Sequence, residues 1–64
     1  MITDIAAKDA RIGDRIYNHH AYHESAAWLE ITAIIIDTEG RIGLKIDVYT
    51  QWFHPEEGVA INRV

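Results

Sequence analysis

The segment from Trp28 to Thr50 constrains the fold of this chain more than any other, because it holds most of the β-branched residues and a turn signal divides it. Ile, Val, Thr and aromatic residues favour strands, so each half of the segment predicts one strand. Between the halves stands Asp37-Thr38-Glu39-Gly40. Asp at the first position and Gly at the fourth are typical of a type I turn followed by a left-handed glycine. We therefore predict a hairpin with a three-residue loop that places Asp37 opposite Arg41.

The register of this hairpin poses a conflict. Side chains of a strand alternate between two faces, so the three-residue loop would place Ile34 and Ile36 in the core but turn Leu29 and Ile31 outward. One extra residue near Thr32-Ala33, a β-bulge, would bring all four side chains to the core face. The alternative is a two- or four-residue loop, which would expose Ile34 and Ile36 as a surface for self-association. We favour the bulge, because the glutamate of the turn would need a positive φ in a two-residue type I′ loop.

Turn residues divide the rest of the chain into shorter elements. Gly13-Asp14 predicts a turn before the first strand, in which Ile16 points inward and Arg15 and Tyr17 outward. The elements predicted outside the hairpin are one helical turn within Asp4–Ala10 with Asp4 as its N-cap, a first strand ending at Tyr17, a fourth strand over Gln51–His54, a 3₁₀ turn over Pro55–Glu57 and a last strand over Gly58–Val64, with Val59 and Ile61 inward.

The stretch from Lys8 to Ile16 resembles the opening of many SH3-like barrels, including the Tudor and KOW types. In these barrels an apolar-Gly-Asp-x-apolar unit, here Ile12-Gly13-Asp14-Arg15-Ile16, starts the first strand. The resemblance implies a single all-β domain over residues 1–64, a small barrel of about five antiparallel strands with a short 3₁₀ turn before the last one. It is a resemblance of fold, and such barrels serve many unrelated functions.

Composition narrows the function classes. The formal net charge is −4, and the six Lys and Arg are scattered along the chain, which argues against a dominant contact with nucleic-acid phosphates. The absence of Cys excludes disulfides and cysteine-based zinc sites. With neither a signal-peptide pattern nor an apolar run of about 20 residues, a cytoplasmic protein without membrane contact is expected. A chain of 64 residues has a narrow stability margin, so a homo-oligomer would gain stability.

Histidines cluster in the polar stretch between the first two strands. His19, His20, His23 and Glu24 stand within six residues, and imidazole and carboxylate groups suit zinc, nickel or copper. The spacing matches none of the fixed zinc motifs, so we interpret the stretch as a solvated loop and expect no cofactor. If a metal binds, His19, His23 and His54 are the predicted ligands.

Nothing in the sequence forms a convincing catalytic set. Ser25 is the only serine, and the neighbouring His23 and Glu24 would point away from it on an extended loop. We therefore predict that the chain is not an enzyme.

Aromatic residues give the better functional lead, because Tyr and Trp supply interface anchors with few rotatable bonds. The predicted partner-binding residues are Tyr17, His20, Tyr22, Trp28, Tyr49 and Trp52. An aromatic and acidic face fits a basic or Pro-rich protein partner. The leading interpretation is a small non-enzymatic protein-interaction module, of accessory or inhibitor type and of a size that suits a phage- or plasmid-encoded protein. The alternatives are a nucleic-acid-associated barrel and a metal-binding domain that uses the histidine loop.

Overall fold

The computed structural model describes residues 2–17 and 28–63, which form antiparallel strands and one short 3₁₀ helix. This confirms the predicted all-β class. The elements are β1 (Ile2–Ala6), the 3₁₀ helix (Ala7–Asp9), β2 (Arg15–Tyr17), β3 (Trp28–Ile36), β4 (Ile42–Ile46), β5 (Tyr49–Phe53) and β6 (Gly58–Asn62). Within these ranges the structure contains no helix with the length and apolar character needed to span a membrane.

The six strands form one sheet in the order β1-β6-β2-β3-β4-β5. Strands β2 to β5 follow one another as a meander and β6 returns beside β2, which is the arrangement expected of an SH3-like barrel. Strand β1 adds a further strand on the outer side of β6, with Ile2 opposite Asn62 and Ala6 opposite Gly58. The sheet is open, because β1 and β5 stand at its two ends and are not paired with each other in the described part of the chain.

The loop of the β3–β4 hairpin has the predicted geometry. Gly40 has a φ of 80° and its N–H donates to the Asp37 carbonyl at 3.1 Å. The Asp37 N–H donates to the Arg41 carbonyl at 3.1 Å, which sets these two residues opposite each other. One carboxylate oxygen of Asp37 also accepts the N–H groups of Glu39 and Arg41, at 2.9 and 2.8 Å. Burial acts to raise the pKa of Asp37, but these hydrogen bonds and the Arg41 side chain outweigh it and lower the pKa.

The predicted bulge is present in β3. Ile31 lies opposite Ile46, but the next pair joins Ala33 to Lys45, so Thr32 is the extra residue. The Thr32 hydroxyl donates to the Lys45 carbonyl at 3.3 Å. Because the bulge reverses the alternation of β3, residues before and after it can face the same core.

The core collects apolar side chains from both halves of the open barrel. Leu29 and Ile34 pack against its margin, as the bulge requires. Ile36 was also expected in the core, but its side chain is 68% exposed. It is the last residue of β3, and β2 pairs only with the start of that strand, so nothing described flanks it on its other side. The buried apolar residues are Ala7, Ala10, Ile16, Ile31, Ile42, Leu44, Ile46, Val59 and Ile61.

Two predicted elements near the ends of the chain are confirmed only in part. Asp4 does not cap a helical turn: it lies in β1 opposite Ala60, because pairing with β6 satisfies backbone groups along the whole segment. The 3₁₀ helix follows it, over Ala7–Asp9. The segment Pro55–Glu57 is instead a tight turn, in which the Glu57 N–H donates to the His54 carbonyl at 3.0 Å.

The second half of the hairpin is also shorter than predicted. A continuous strand was expected up to Thr50, but β4 ends at Ile46, and Val48 is 78% exposed. Asp47 and Val48 form a two-residue turn that places Ile46 opposite Tyr49. Asp47 has a φ of 53°, a conformation that Asp tolerates better than most residues.

A partly buried ion pair, in which the Arg63 side chain is 37% exposed, connects Asp14 before β2 to the residue that follows β6. Asp14 is 4% exposed, and its carboxylate accepts hydrogen bonds from Arg63 Nε at 2.8 Å and from Arg63 Nη2 at 2.7 Å. The Arg11 N–H donates to the same carboxylate at 2.9 Å. The hydrogen bonds from Arg63 lower the pKa of Asp14, against the opposing effect of burial.

Candidate functional site

A surface pocket of about 500 Å³ is the candidate site. Residues of both β5 and β6 line it; these strands are distant in the sheet order but are connected by the turn at Pro55–Glu57. Five strands and this turn contribute to its wall. Within residues 2–17 and 28–63, the lining residues are Ile2, Ile16, Tyr17, Trp28, Gln51, Phe53, Glu57, Gly58, Val59 and Ala60.

Two aromatic rings form one wall of the pocket. Tyr17 and Trp28 lie directly opposite each other in the β2–β3 pair, and their ring centroids are 5.5 Å apart at an interplanar angle of 78°. This edge-to-face arrangement contributes about 0.5–1.5 kcal/mol beyond the burial of the rings. Tyr17 remains 42% exposed, so the pair presents an apolar surface that is already ordered.

Small residues of β6 are part of the lining. Ala60 has a single methyl group, and a Cβ added at Gly58 would meet no atom within 4 Å. Of the other lining residues, Ile16 and Val59 belong to the core, and Phe53 packs against it. The described lining is therefore largely apolar and continuous with the core, as in many ligand and side-chain pockets.

The polar groups at the pocket are few. Among the described lining side chains, the polar groups are those of Glu57 and Gln51, the Tyr17 hydroxyl and the Trp28 indole N–H. One carboxylate oxygen of Glu57 accepts the His54 N–H at 3.2 Å, which orients the carboxylate. This wall would complement a cationic group on a bound molecule.

Trp52 lies on a different surface from the pocket. It stands between Gln51 and Phe53 in β5, so its side chain points to the opposite face of the strand. The indole covers Gly43, where an added Cβ would approach it to 2.9 Å, and the guanidinium carbon of Arg41 lies 5.7 Å from the ring centroid. The ring is 44% exposed. Trp52 and Arg41 thus form a second exposed aromatic surface.

The structure describes some of the remaining predicted site residues. Tyr49 is exposed at the start of β5, at the end remote from Phe53. His54 is exposed, and among residues 2–17 and 28–63 no group of three or more His, Asp or Glu side chains could hold a metal ion. Four predicted residues, His19, His20, Tyr22 and His23, lie outside the described residues, so the metal-site prediction stays a prediction.

Several lining residues were missed by the sequence reasoning. Phe53 was assigned only to a strand, although it stands beside a predicted binding residue. Gly58 and Ala60 were interpreted as ordinary strand residues, yet both line the pocket. The one usable signal was Gly58 at the start of a strand, since a glycine there often marks a close approach or an open site.

Comparison of the chain with protein-family models, with curated proteins and with solved structures found no match to any of them.

Proposed function

We propose that this chain is a non-enzymatic protein-interaction module that receives an apolar side chain of a partner protein in the pocket beside Tyr17 and Trp28. The observation that carries this proposal is the combination of an unfilled apolar volume with a preformed aromatic wall. Exposed Tyr and Trp side chains with packed neighbours are the residues that dominate binding energies at protein interfaces.

The charge of the site supports a partner of basic character. Glu57 lines the pocket, and the chain as a whole carries a net charge of −4. On the same turn, Glu56 is paired with Lys8 at 2.6 Å, and the hydrogen bond that Lys8 Nζ donates to this carboxylate raises the pKa of Lys8. A partner segment with an apolar or Pro anchor next to Lys or Arg would match both features.

The test is selection of peptides from a random displayed library, followed by affinity measurements on variants. Gly58→Leu adds a bulky side chain to a residue that lines the pocket, at a position where an added Cβ meets no atom within 4 Å. We expect it to weaken binding at least about tenfold, as does Tyr17→Ala, which removes an anchor. Val48→Ala, which truncates an exposed apolar side chain in the turn before β5, is the control and should leave affinity unchanged. Peptides that bind all three variants as they bind the parent chain would refute the pocket as the site.

A second candidate, nucleic-acid binding, rests on the surface formed by Trp52 and Arg41. An aromatic ring beside a cation is the usual means of stacking and neutralising a single strand. Fluorescence anisotropy with a labelled oligonucleotide tests it. Binding at low salt that falls steeply as salt is raised, and that Arg41→Gln reduces, would favour this candidate over the protein partner.

A further inference from the structure

Strand β5 has one edge that no described strand covers. It pairs with β4 through Tyr49 opposite Ile46 and Phe53 opposite Ile42, and it is the last strand in the sheet order. An uncovered strand edge presents unpaired backbone groups that can pair with another strand.

The hydrogen-bond alternation shows which backbone groups face outward. The Asp37 N–H donates to the Arg41 carbonyl, so these two residues form a hydrogen-bonded pair. Hydrogen-bonded and non-hydrogen-bonded pairs alternate along an antiparallel ladder. The N–H and C=O of Gly43 therefore point to β3, and those of Leu44 point to β5. Leu44 pairs with Gln51, which therefore turns its backbone groups inward. The groups that point to the free edge belong to the residues on either side, Thr50 and Trp52.

This edge has none of the usual protection against pairing. Tyr-Thr-Gln-Trp-Phe contains no charge, Pro or Gly, and a register shift is absent from its pairing with β4. The opposite edge strand of the sheet, β1, carries Asp4 at its centre. A pair of β1 strands centred there would bring two carboxylates together, whereas β5 opposes no like charges.

We propose that β5 is a self-association edge, at which the β5 strands of two copies of this chain pair antiparallel about a twofold axis at Gln51. Thr50 of one copy then lies opposite Trp52 of the other, and these are the residues whose backbone groups face outward. Phe53 lies opposite Tyr49 of the second copy, which covers a tyrosine that is 53% exposed in the single chain. The two sheets become continuous, and a small domain gains buried surface.

Charge placed at the twofold axis gives the sharpest test. Gln51→Lys sets two lysines opposite each other in the dimer, and Gln51→Glu sets two glutamates opposite each other. Sedimentation equilibrium should show the parent chain as a dimer, each variant alone with its association constant at least tenfold lower, and a mixture of the two variants as a restored heterodimer. Thr3→Lys, the same change of charge on the opposite edge strand, is the matched control and should remain dimeric.

Amide hydrogen exchange locates the interface and does not depend on any substitution. The Thr50 and Trp52 amides should become protected as concentration rises, whereas those of Tyr49, Gln51 and Phe53 are protected throughout by β4. A parent chain that stays monomeric at millimolar concentration would overturn the proposal. So would open-ended polymers, or protection that appears at Ile34 and Ile36 instead.

Discussion

At the scale of single residues, two aspartates accept similar hydrogen bonds but differ in burial, and we expect burial to decide how much each contributes to stability. Asp37 and Asp14 each accept a backbone N–H and an arginine side chain. Asp37 does so at a hairpin tip, where its side chain is 19% exposed and its Arg41 partner is 49% exposed, so water competes for the arginine. Asp14 does so at 4% exposure, and its guanidinium partner comes from a position 49 residues away. We therefore expect Asp14 to matter more for stability than Asp37.

Substitution Asp14→Asn tests this expectation. Asn keeps the size of the side chain but removes the charge and leaves guanidinium donors facing an amide nitrogen, so the free energy of unfolding should fall by about 2–3 kcal/mol. Urea unfolding followed by circular dichroism measures the change. Asp37→Asn is the matched control, and a loss at Asp37 equal to that at Asp14 would show that burial does not set the difference.

At the scale of elements, the bulge at Thr32 allows one strand to serve both halves of the sheet. Up to Ile31, β3 pairs with β2 and the turn before it: the Ile31 N–H donates to the Asp14 carbonyl at 2.7 Å, and the Gly13 N–H donates to the Ile31 carbonyl at 3.0 Å. Beyond the bulge, β3 pairs with β4 alone over the described residues. An extra residue at this point bends the strand and keeps Ile34 on the core side.

Deletion of Thr32 should therefore be far more harmful than its substitution. Without the extra residue, alternation would turn either Leu29 and Ile31 or Ile34 away from the core, which exposes large apolar side chains. We expect the deletion variant to lose cooperative thermal unfolding. Thr32→Ala keeps the residue count and removes one hydrogen bond at the surface, so its melting transition should remain cooperative and shift only slightly. A cooperative transition in the deletion variant would mean that β3 can repair its register elsewhere.

The sequence predicted those elements whose cause is local. The hairpin loop follows from Asp37 and Gly40, and the bulge follows from counting apolar residues on either side of it. The turn at Asp47 was missed because it lies inside a run of β-forming residues that continues to Thr50. The Asp14–Arg63 pair could not be predicted at all, because only the pairing of β6 with β2 brings the chain end beside the turn.

The same limit applies to the candidate site. Alternation along β5 could separate Trp52 from Phe53, but it could not say which face borders a pocket. That depends on how the turn after Phe53 directs β6 back beside β2, which brings Gly58 and Ala60 to the pocket. The contact between Tyr17 and Trp28 likewise depends on a register that the intervening residues do not specify.

At the scale of the whole molecule, an open sheet depends on ties between its ends and its middle. The 3₁₀ helix after β1 is held to the turn before β6, where the Ala7 N–H donates to the Glu57 carbonyl at 2.8 Å and the Lys8 N–H to the Pro55 carbonyl at 3.0 Å. At the other end of β6, the Asp14–Arg63 pair connects the residue after that strand to the turn that precedes β2. Backbone bonds make the first tie independent of pH, but the second requires an ionised carboxylate.

Global stability should accordingly fall in acid through Asp14. Its folded-state pKa is lower than the unfolded value of 3.8, so the unfolded chain takes up the proton first. The stabilisation is complete above about pH 4 and is lost as the pH falls through the folded-state value. Urea unfolding of the parent chain and of Asp14→Asn, from neutral pH to about pH 2, measures this. The two free energies should differ at neutral pH and converge in acid, since a protonated Asp14 resembles the amide; curves that stay parallel would place the acid sensitivity in other carboxylates.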